Sequence, residues 1–185
     1  YLTAMLLKNH AESFHLADVP EFHFSILGNV LVICVLSAAL SMLFCKSLKC
    51  GGHVFKKFFK NDYFRIFIGG LLIIALTLIV GTTEYNGAGI NVIERIFEDH
   101  QFDYWAFILK ILFTVIVVSA GYKGGEIVPT LFVGATFGAL IGSFLGLSPA
   151  FGASIGITAL FCGVTNCPVA AFLLSLELFS GVGWY

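Results

Sequence analysis

The chain has 185 residues, of which 58% are hydrophobic and 11% charged, with a formal net charge of −1 and a mean hydropathy of +0.96. A soluble domain carries about a quarter charged residues, so this composition excludes a soluble globular protein and indicates an integral membrane protein. The near-neutral charge gives no sign of a nucleic-acid partner, and the five cysteines have the spacing of neither a disulfide framework nor a metal site.

Three apolar segments predict membrane-spanning helices, which need roughly 20 residues each. These segments are Phe24–Phe44, Ile66–Thr82 and Tyr104–Ala120. Residues 1–21 are expected to form an external leading segment, in which His10 and His15 are solvated. After Glu126 the apolar pieces become shorter and are separated by Gly, Ser, Pro and Asn: Ile127–Leu145, Ala150–Cys162 and Val169–Phe179. Such pieces are typical of the broken or re-entrant helices of transporters.

The basic residues predict an orientation in the membrane, because cytoplasmic loops are enriched in Lys and Arg. Six of the ten Lys and Arg lie between the first two spans: Lys46, Lys49, Lys56, Lys57, Lys60 and Arg65. We therefore expect this loop to be cytoplasmic. The leading segment up to Glu21 and an acidic loop are expected outside; the acidic residues of that loop are Glu94, Glu98, Asp99 and Asp103.

The segment Gly121–Thr130 introduces fifty residues, Ile127–Leu176, that contain no Asp, Glu, Lys or Arg. Pro129 suits the first turn of a helix, where a missing N–H costs nothing. Glu126 would then lie at the helix N-terminus, where unpaired N–H groups and the macrodipole favour an anion. The pattern predicts an anion site inside the bilayer. The alternative is a solvated loop glutamate that flanks a membrane helix.

Four glycines of the following segment recur at every fourth position: Gly134, Gly138, Gly142 and Gly146. On a helix they share one side, where they allow a second helix to approach closely. We interpret this stripe as a packing surface. It predicts that the helix beginning near Ile127 lies inside a bundle and not against lipid.

Several polar residues near the spans have competing structural and functional interpretations. Lys123 suits the C-terminal dipole of the third span, which we favour over attraction of anions into a vestibule. Lys110, within that span, is expected to snorkel or to pair with an acid and not to line a pore. Thr165 or Asn166, before Pro168, is expected to cap a helix and not to bind an ion.

Two motifs resemble the CLC family of chloride channels and transporters. The sequence 124–129, Gly-Gly-Glu-Ile-Val-Pro, with Leu131–Ala135 after it, resembles the family's second glycine-rich anion motif. The sequence 163–168, followed by Leu173–Glu177, resembles a later family helix that ends in a glutamate at the dimer interface. Lys110 lies where the family often has a basic residue, and the stretch Gly87–Ile93 resembles a family glycine loop.

The match is narrower than the family, because a glutamate after the second glycine and a later Thr-Asn-Cys-Pro sequence resemble the fluoride/proton antiporter branch. The resemblance implies an all-α polytopic membrane protein, a CLC-type bundle of tilted, broken and re-entrant helices. Residues 22–185 would form most of its second repeat, incomplete at the C-terminus. It implies a multi-pass homodimer of the cell membrane that exchanges fluoride, or chloride, for protons without a cofactor or metal.

The implied anion-binding and coupling residues are Gly124, Gly125, Glu126, Ile127, Val128 and Thr130. Fluoride is small and strongly hydrated, so backbone N–H groups at a helix start, with the Thr130 hydroxyl, are suitable donors. Burial favours a neutral Glu126 and helix-end donors favour its anion, so this carboxyl could hold a proton in one state and replace the anion in another. We therefore expect Glu126 to couple the two movements. Glu177 is expected at a subunit contact.

Two departures from the family pattern are visible. Val128 stands where the fluoride branch often has threonine, and the first-half motifs, with their gating glutamate, are absent. A chloride channel or chloride/proton antiporter is the main alternative, which Glu126 and Ile127 argue against. A truncated, non-functional remnant is another. An intramembrane enzyme is not expected, because Glu126 and Glu177 have no neighbouring catalytic partner in the sequence.

Overall fold

The computed structural model describes residues 24–179, which are helical with short connections. The helices of this range are α1 Phe24–Phe58, α2 Asp62–Val80, α3 Ile90–Glu98, α4 Ala106–Ala120, α5 Ile127–Phe144, α6 Pro149–Thr165 and α7 Pro168–Leu178. The predicted all-α membrane fold is confirmed. The leading segment 1–21, with His10 and His15, lies outside the described residues.

Helix α1 has 35 residues, which corresponds to a length of about 52 Å at 1.5 Å per residue. The predicted first span ended at Phe44, but the helix continues to Phe58 and includes most of the basic residues assigned to a loop. That loop prediction was wrong, because lysine is a good helix former and the cations Lys56 and Lys57 suit the last helical turn. Lys60 remains in the short connection to α2.

Within residues 24–179, three helices are long and apolar enough to cross a membrane by length and composition: α1 over Ile26–Phe58, α2, and α5. The predicted third span is helical over Ala106–Ala120, but its 15 residues correspond to about 22 Å, less than the roughly 30 Å of a hydrocarbon core. Helices α6 and α7 are also shorter than a full span, as predicted from their interrupted sequence, whereas α5, for which we made the same prediction, is long enough to cross.

Helix α3 occupies a segment that we predicted as an acidic loop. Glu94 and Glu98 are exposed on it, whereas Val92, Ile93, Ile96 and Phe97 are buried in the core. This spacing is that of an amphipathic helix, so the signal was present in the sequence. We predicted a loop because of its acidic residues, but these occupy the solvent-facing positions of the same short helix.

Helices α5 and α6 form an antiparallel hairpin at the centre of the fold, and α5 also contacts α1, α3 and α4. Gly134 and Gly138 lie directly against the backbone of Gly152 and Gly156, so the predicted packing stripe is confirmed at these positions. A Cβ atom added to Gly138 would come 2.8 Å from the Gly156 Cα atom. Gly146 lies beyond α5 with a φ of +73°, so it serves the turn and not the stripe.

Candidate functional site at the start of helix α5

The predicted anion site lies at the N-terminus of α5. Helix α4 ends at Ala120, and Gly121 follows in the left-handed region with a φ of +99°, which turns the chain into the connection to Glu126. Glu126 is the N-cap residue of α5, and its side chain makes no capping hydrogen bond. The carboxylate is exposed, so residues 24–179 do not provide the burial we expected for it.

The first turn of α5 determines which donors can reach an anion. The N–H groups of a helix N-cap and of its first residues have no partner within the helix, and here these belong to Glu126, Ile127 and Val128. Thr130 is fully buried; its N–H and its hydroxyl both donate to the Glu126 carbonyl, at 3.2 and 2.7 Å. Thr130 therefore holds the N-cap residue in place, and whether it also contacts an ion stays a prediction.

The segment before Glu126 is attached to the first turns of α2. The Arg65 Nε atom donates to the Ala120 carbonyl at 3.3 Å, and the Tyr122 hydroxyl donates to the Ile66 carbonyl at 3.1 Å. Arg65 thus supplies the cation at the C-terminal end of α4, a role that we had assigned to Lys123. Lys123 is exposed, three residues beyond the end of the helix.

Replacing Arg65 with methionine should therefore destabilise the junction between α2 and α4. We expect a loss of about 1–2 kcal/mol in the free energy of unfolding, because the Ala120 carbonyl loses a charged donor. Thermal unfolding in detergent would measure it, with Lys60→Met as the matched control, since Lys60 is an exposed cation five residues earlier. Equal melting temperatures for the two variants would contradict this role of Arg65.

Lys110 is 2% exposed inside α4, and its contacts differ from those predicted. Its ammonium donates to the carbonyls of Tyr85, at 3.2 Å, and of Gly87, and it lies 4.7 Å from the centre of the Phe132 ring. It is buried and does not snorkel to an interface, so that expectation was wrong, and it pairs with no acid among residues 24–179. The carbonyls of the connection between α2 and α3 turn inward and solvate the charge instead.

A cavity of about 110 Å³ lies between this lysine and the start of α5. Its lining includes Lys110 and Thr114 of α4, Asn86 and Gly87 of the α2–α3 connection, and Gly124, Gly125 and Pro129. The structure thus brings Lys110 next to the predicted site, which sequence reasoning did not anticipate. No local sequence pattern could have shown this proximity, because Lys110 and its partner Gly87 are 23 positions apart.

The remaining predicted residues lie away from this site. Asn166 caps the C-terminus of α6 in the left-handed region, with a φ of 54°, and the Thr165 hydroxyl donates to the Phe161 carbonyl at 2.7 Å. Asn166 thus caps a helix, but it caps the end of α6; the N-cap of α7 is Cys167, so the predicted cap before Pro168 was wrong. Glu177 is exposed on α7, beside a face of that helix whose large apolar side chains are also exposed.

Comparisons with known proteins agree with this architecture. A family model described as voltage gated chloride channel matches residues 1–184. The chain is 33% identical over 144 residues to a chloride/fluoride channel protein of Pseudomonas syringae pv. tomato, covering 75% of this chain and 32% of that protein. It is 30% identical over 176 residues to the H(+)/Cl(−) exchange transporter ClcA of Vibrio cholerae serotype O1, covering 87% of this chain and 36% of that one.

A solved structure is similar to this chain in its three-dimensional fold as well. The crystal structure of a CLC-type fluoride/proton antiporter matches with a TM-score of 0.90 and 26% identity, over 97% of this chain and 45% of that chain. The chain thus spans about a third of the length of these curated relatives and less than half of the solved one. These relatives are named as channels and exchange transporters, not as enzymes. The chain belongs to the voltage-gated chloride channel (CLC) family of membrane proteins, and its resemblance is to the family's fluoride branch.

Proposed function

We propose that the protein exports fluoride across the cell membrane in exchange for protons, with the anion bound at the start of α5 and Glu126 as the coupling carboxylate. The observation that carries the proposal is the position of Glu126. It is the N-cap residue of a helix inside the bundle, and its side chain is not used for capping. The match to a fluoride/proton antiporter over 97% of the chain supports it.

The chemistry follows from the geometry of the first turn. Backbone N–H groups of Ile127 and Val128 can replace part of the water around fluoride, and the helix macrodipole favours its negative charge. Gly124 and Gly125 carry no side chains, so an ion can approach the backbone closely. A proton on the Glu126 carboxyl removes its negative charge from the same region, so protonation and anion occupancy are linked electrostatically.

A second candidate is exchange of chloride for protons. It is favoured by the 30% identity to ClcA, which extends over 87% of this chain. Both candidates use the same helix N-terminus, and they differ in the ion that is preferred. A third outcome is that the protein transports no anion, and the same assay tests it.

We also propose that the functional protein is a homodimer. Helix α7 exposes large apolar side chains along one face, namely Val169, Phe172, Leu173 and Leu176. Such a face requires lipid or a partner subunit beside it. Glu177, at the end of this helix, would then lie near the subunit contact.

The proposal is tested by ion efflux from proteoliposomes that contain the protein in its full-length context. We expect fluoride efflux to exceed chloride efflux, with proton uptake recorded in parallel and proportional to fluoride efflux. Chloride movement as fast as fluoride movement would instead support the second candidate. Absence of both fluxes in folded, reconstituted protein would contradict anion transport altogether.

A further inference from the structure

A cationic surface lies at the turn between α1 and α2, and the mechanism proposed above has no use for it. Lys56 and Lys57 are exposed in the last turn of α1, and Lys60 is exposed in the connection to α2. Within the described part of the chain, no carboxylate forms an ion pair with these three ammonium groups. Asp62, the acid closest to them in the sequence, pairs instead with Arg65 at 3.1 Å. The turn therefore presents positive charge that the described residues do not neutralise.

Aromatic side chains surround these lysines in the sequence. The rings of Phe55, Phe59 and Phe64 form a chain in which successive centroids are 6.0 Å apart, and this chain joins the end of α1 to the start of α2. Phe58 and Tyr63 are 75% and 87% exposed. Exposed aromatic rings next to lysines are typical of segments that lie at the membrane–water interface. The combination fits the lipid headgroup region better than it fits bulk water.

The length of α2 places the turn at the depth of the headgroups. Helix α2 has 19 residues, about 28 Å at 1.5 Å per residue, and so matches a hydrocarbon core of roughly 30 Å. It begins at Asp62, directly after the turn. An ionised carboxylate is unfavourable within the hydrocarbon, so the start of α2 lies at the boundary of the core. The lysines of the turn then lie just outside this boundary, at the level of the lipid phosphates.

We propose that this surface is a binding site for an anionic phospholipid, in which Lys56, Lys57 and Lys60 contact the headgroup phosphate while Phe58 and Tyr63 pack beside the lipid. Charge selects the class of lipid. Three ammonium groups attract a headgroup with a net negative charge, whereas a zwitterionic headgroup carries a cation of its own, which the same groups repel. The site lies away from the start of α5, so the inference holds whichever anion the protein transports.

The site is connected to the rest of the bundle through the first turns of α2. Arg65 donates to the Ala120 carbonyl at 3.3 Å, and Tyr122 donates to the Ile66 carbonyl at 3.1 Å. A lipid that holds the turn restricts the start of α2, from which both of these hydrogen bonds extend to the end of α4. We therefore expect the bound lipid to stabilise the folded protein.

The direct test is titration of the full-length protein in neutral detergent with phosphatidylglycerol, with bound lipid counted by native mass spectrometry. We expect Lys56→Gln/Lys60→Gln to raise the lipid concentration at half-saturation about 25-fold, on the order of fivefold for each lysine removed. Phosphatidylcholine should bind more weakly than phosphatidylglycerol. Inorganic phosphate at the same concentration as the lipid should not displace it, because phosphate lacks the acyl chains.

Lys46→Gln/Lys49→Gln is the matched control, since it removes the same charge from exposed positions of α1 that lie about 10 Å or more before Lys56. This variant should bind phosphatidylglycerol as the wild type does. An equal loss of binding in the two double variants would show that only the net charge matters and would overturn the proposed site. Phosphatidylcholine binding as tight as that of phosphatidylglycerol, or displacement of the lipid by inorganic phosphate, would also overturn it.

Thermal unfolding provides a second measurement on the same proteins. Phosphatidylglycerol should raise the melting temperature of the wild type, and this rise should be absent in Lys56→Gln/Lys60→Gln. Without added lipid the two proteins should melt at the same temperature, because both lysines are exposed and form no ion pair within the described residues. A rise of the same size in the variant would contradict the proposal.

Discussion

Glu126→Gln should abolish proton coupling while leaving the protein folded. Glutamine has nearly the same shape as glutamate but cannot bind and release a proton, so the carboxyl's role as proton carrier is lost. Because Glu126 is exposed and its side chain makes no capping bond, the substitution removes no cap of α5 within residues 24–179. We expect proton uptake during fluoride efflux to fall on the order of 100-fold or more.

The measurement is parallel recording of fluoride efflux and proton uptake in proteoliposomes of the full-length protein. Glu94→Gln is the matched control, since Glu94 is an exposed glutamate on the surface of α3 and away from the site. Its proton-to-fluoride ratio should equal that of the wild type. If Glu126→Gln retained the wild-type ratio, Glu126 would be a helix-end residue and the coupling group would lie elsewhere.

Gly138→Ala should destabilise the fold strongly, although it adds a single carbon atom. The new Cβ would meet the carbonyl oxygen and carbonyl carbon of Gly152 and the Cα of Gly156, all backbone atoms that cannot rotate aside. The helices α5 and α6 would have to separate. We expect a loss of about 3 kcal/mol, which for a chain of this size lowers the melting temperature by about 6–12 °C.

Gly28→Ala is the control that isolates the contact from intrinsic helix preference. Gly28 lies within α1, and a Cβ there has no atom within 4 Å. Alanine is more favourable than glycine in a helix interior by about 1 kcal/mol, so this variant should melt at or above the wild-type temperature. Thermal unfolding in detergent compares the two, and a Gly138→Ala protein that is also stabilised would disprove the backbone contact.

The helix boundaries of the C-terminal half were predictable because proline and glycine carry local information. Pro149 and Pro168 each occupy the start of a helix, and the start of α5 next to Glu126 follows from the same type of signal. The glycine stripe predicted that another helix packs closely, because the spacing of the glycines can be read from one segment alone. It could not identify α6 as that partner, although α6 is the next helix in the sequence.

The contacts around the site were not predictable, because they join residues that are distant in sequence. Arg65 and Ala120 are 55 positions apart, and Lys110 and Tyr85 are 25 apart. A lysine in an apolar segment indicates that its charge must be solvated, but not that inward-turned backbone carbonyls solvate it. The end of α1 was mispredicted for another reason: a hydrophobicity pattern marks where a helix leaves the membrane, not where the helix ends.

The length of α1 determines where its lysines stand relative to the bilayer. A helix of about 52 Å that is tilted by 40° still rises about 40 Å along the membrane normal, roughly 10 Å more than the hydrocarbon core. At least about two turns must therefore project beyond the core at any ordinary tilt. Lysine is unfavourable in the hydrocarbon core, so we expect the projecting end to be the one that carries Lys56 and Lys57 in its last turn, with their ammonium groups near the headgroups of one leaflet. Anionic lipids in that leaflet would strengthen the anchoring of α1 by about 1 kcal/mol for each lysine near the surface.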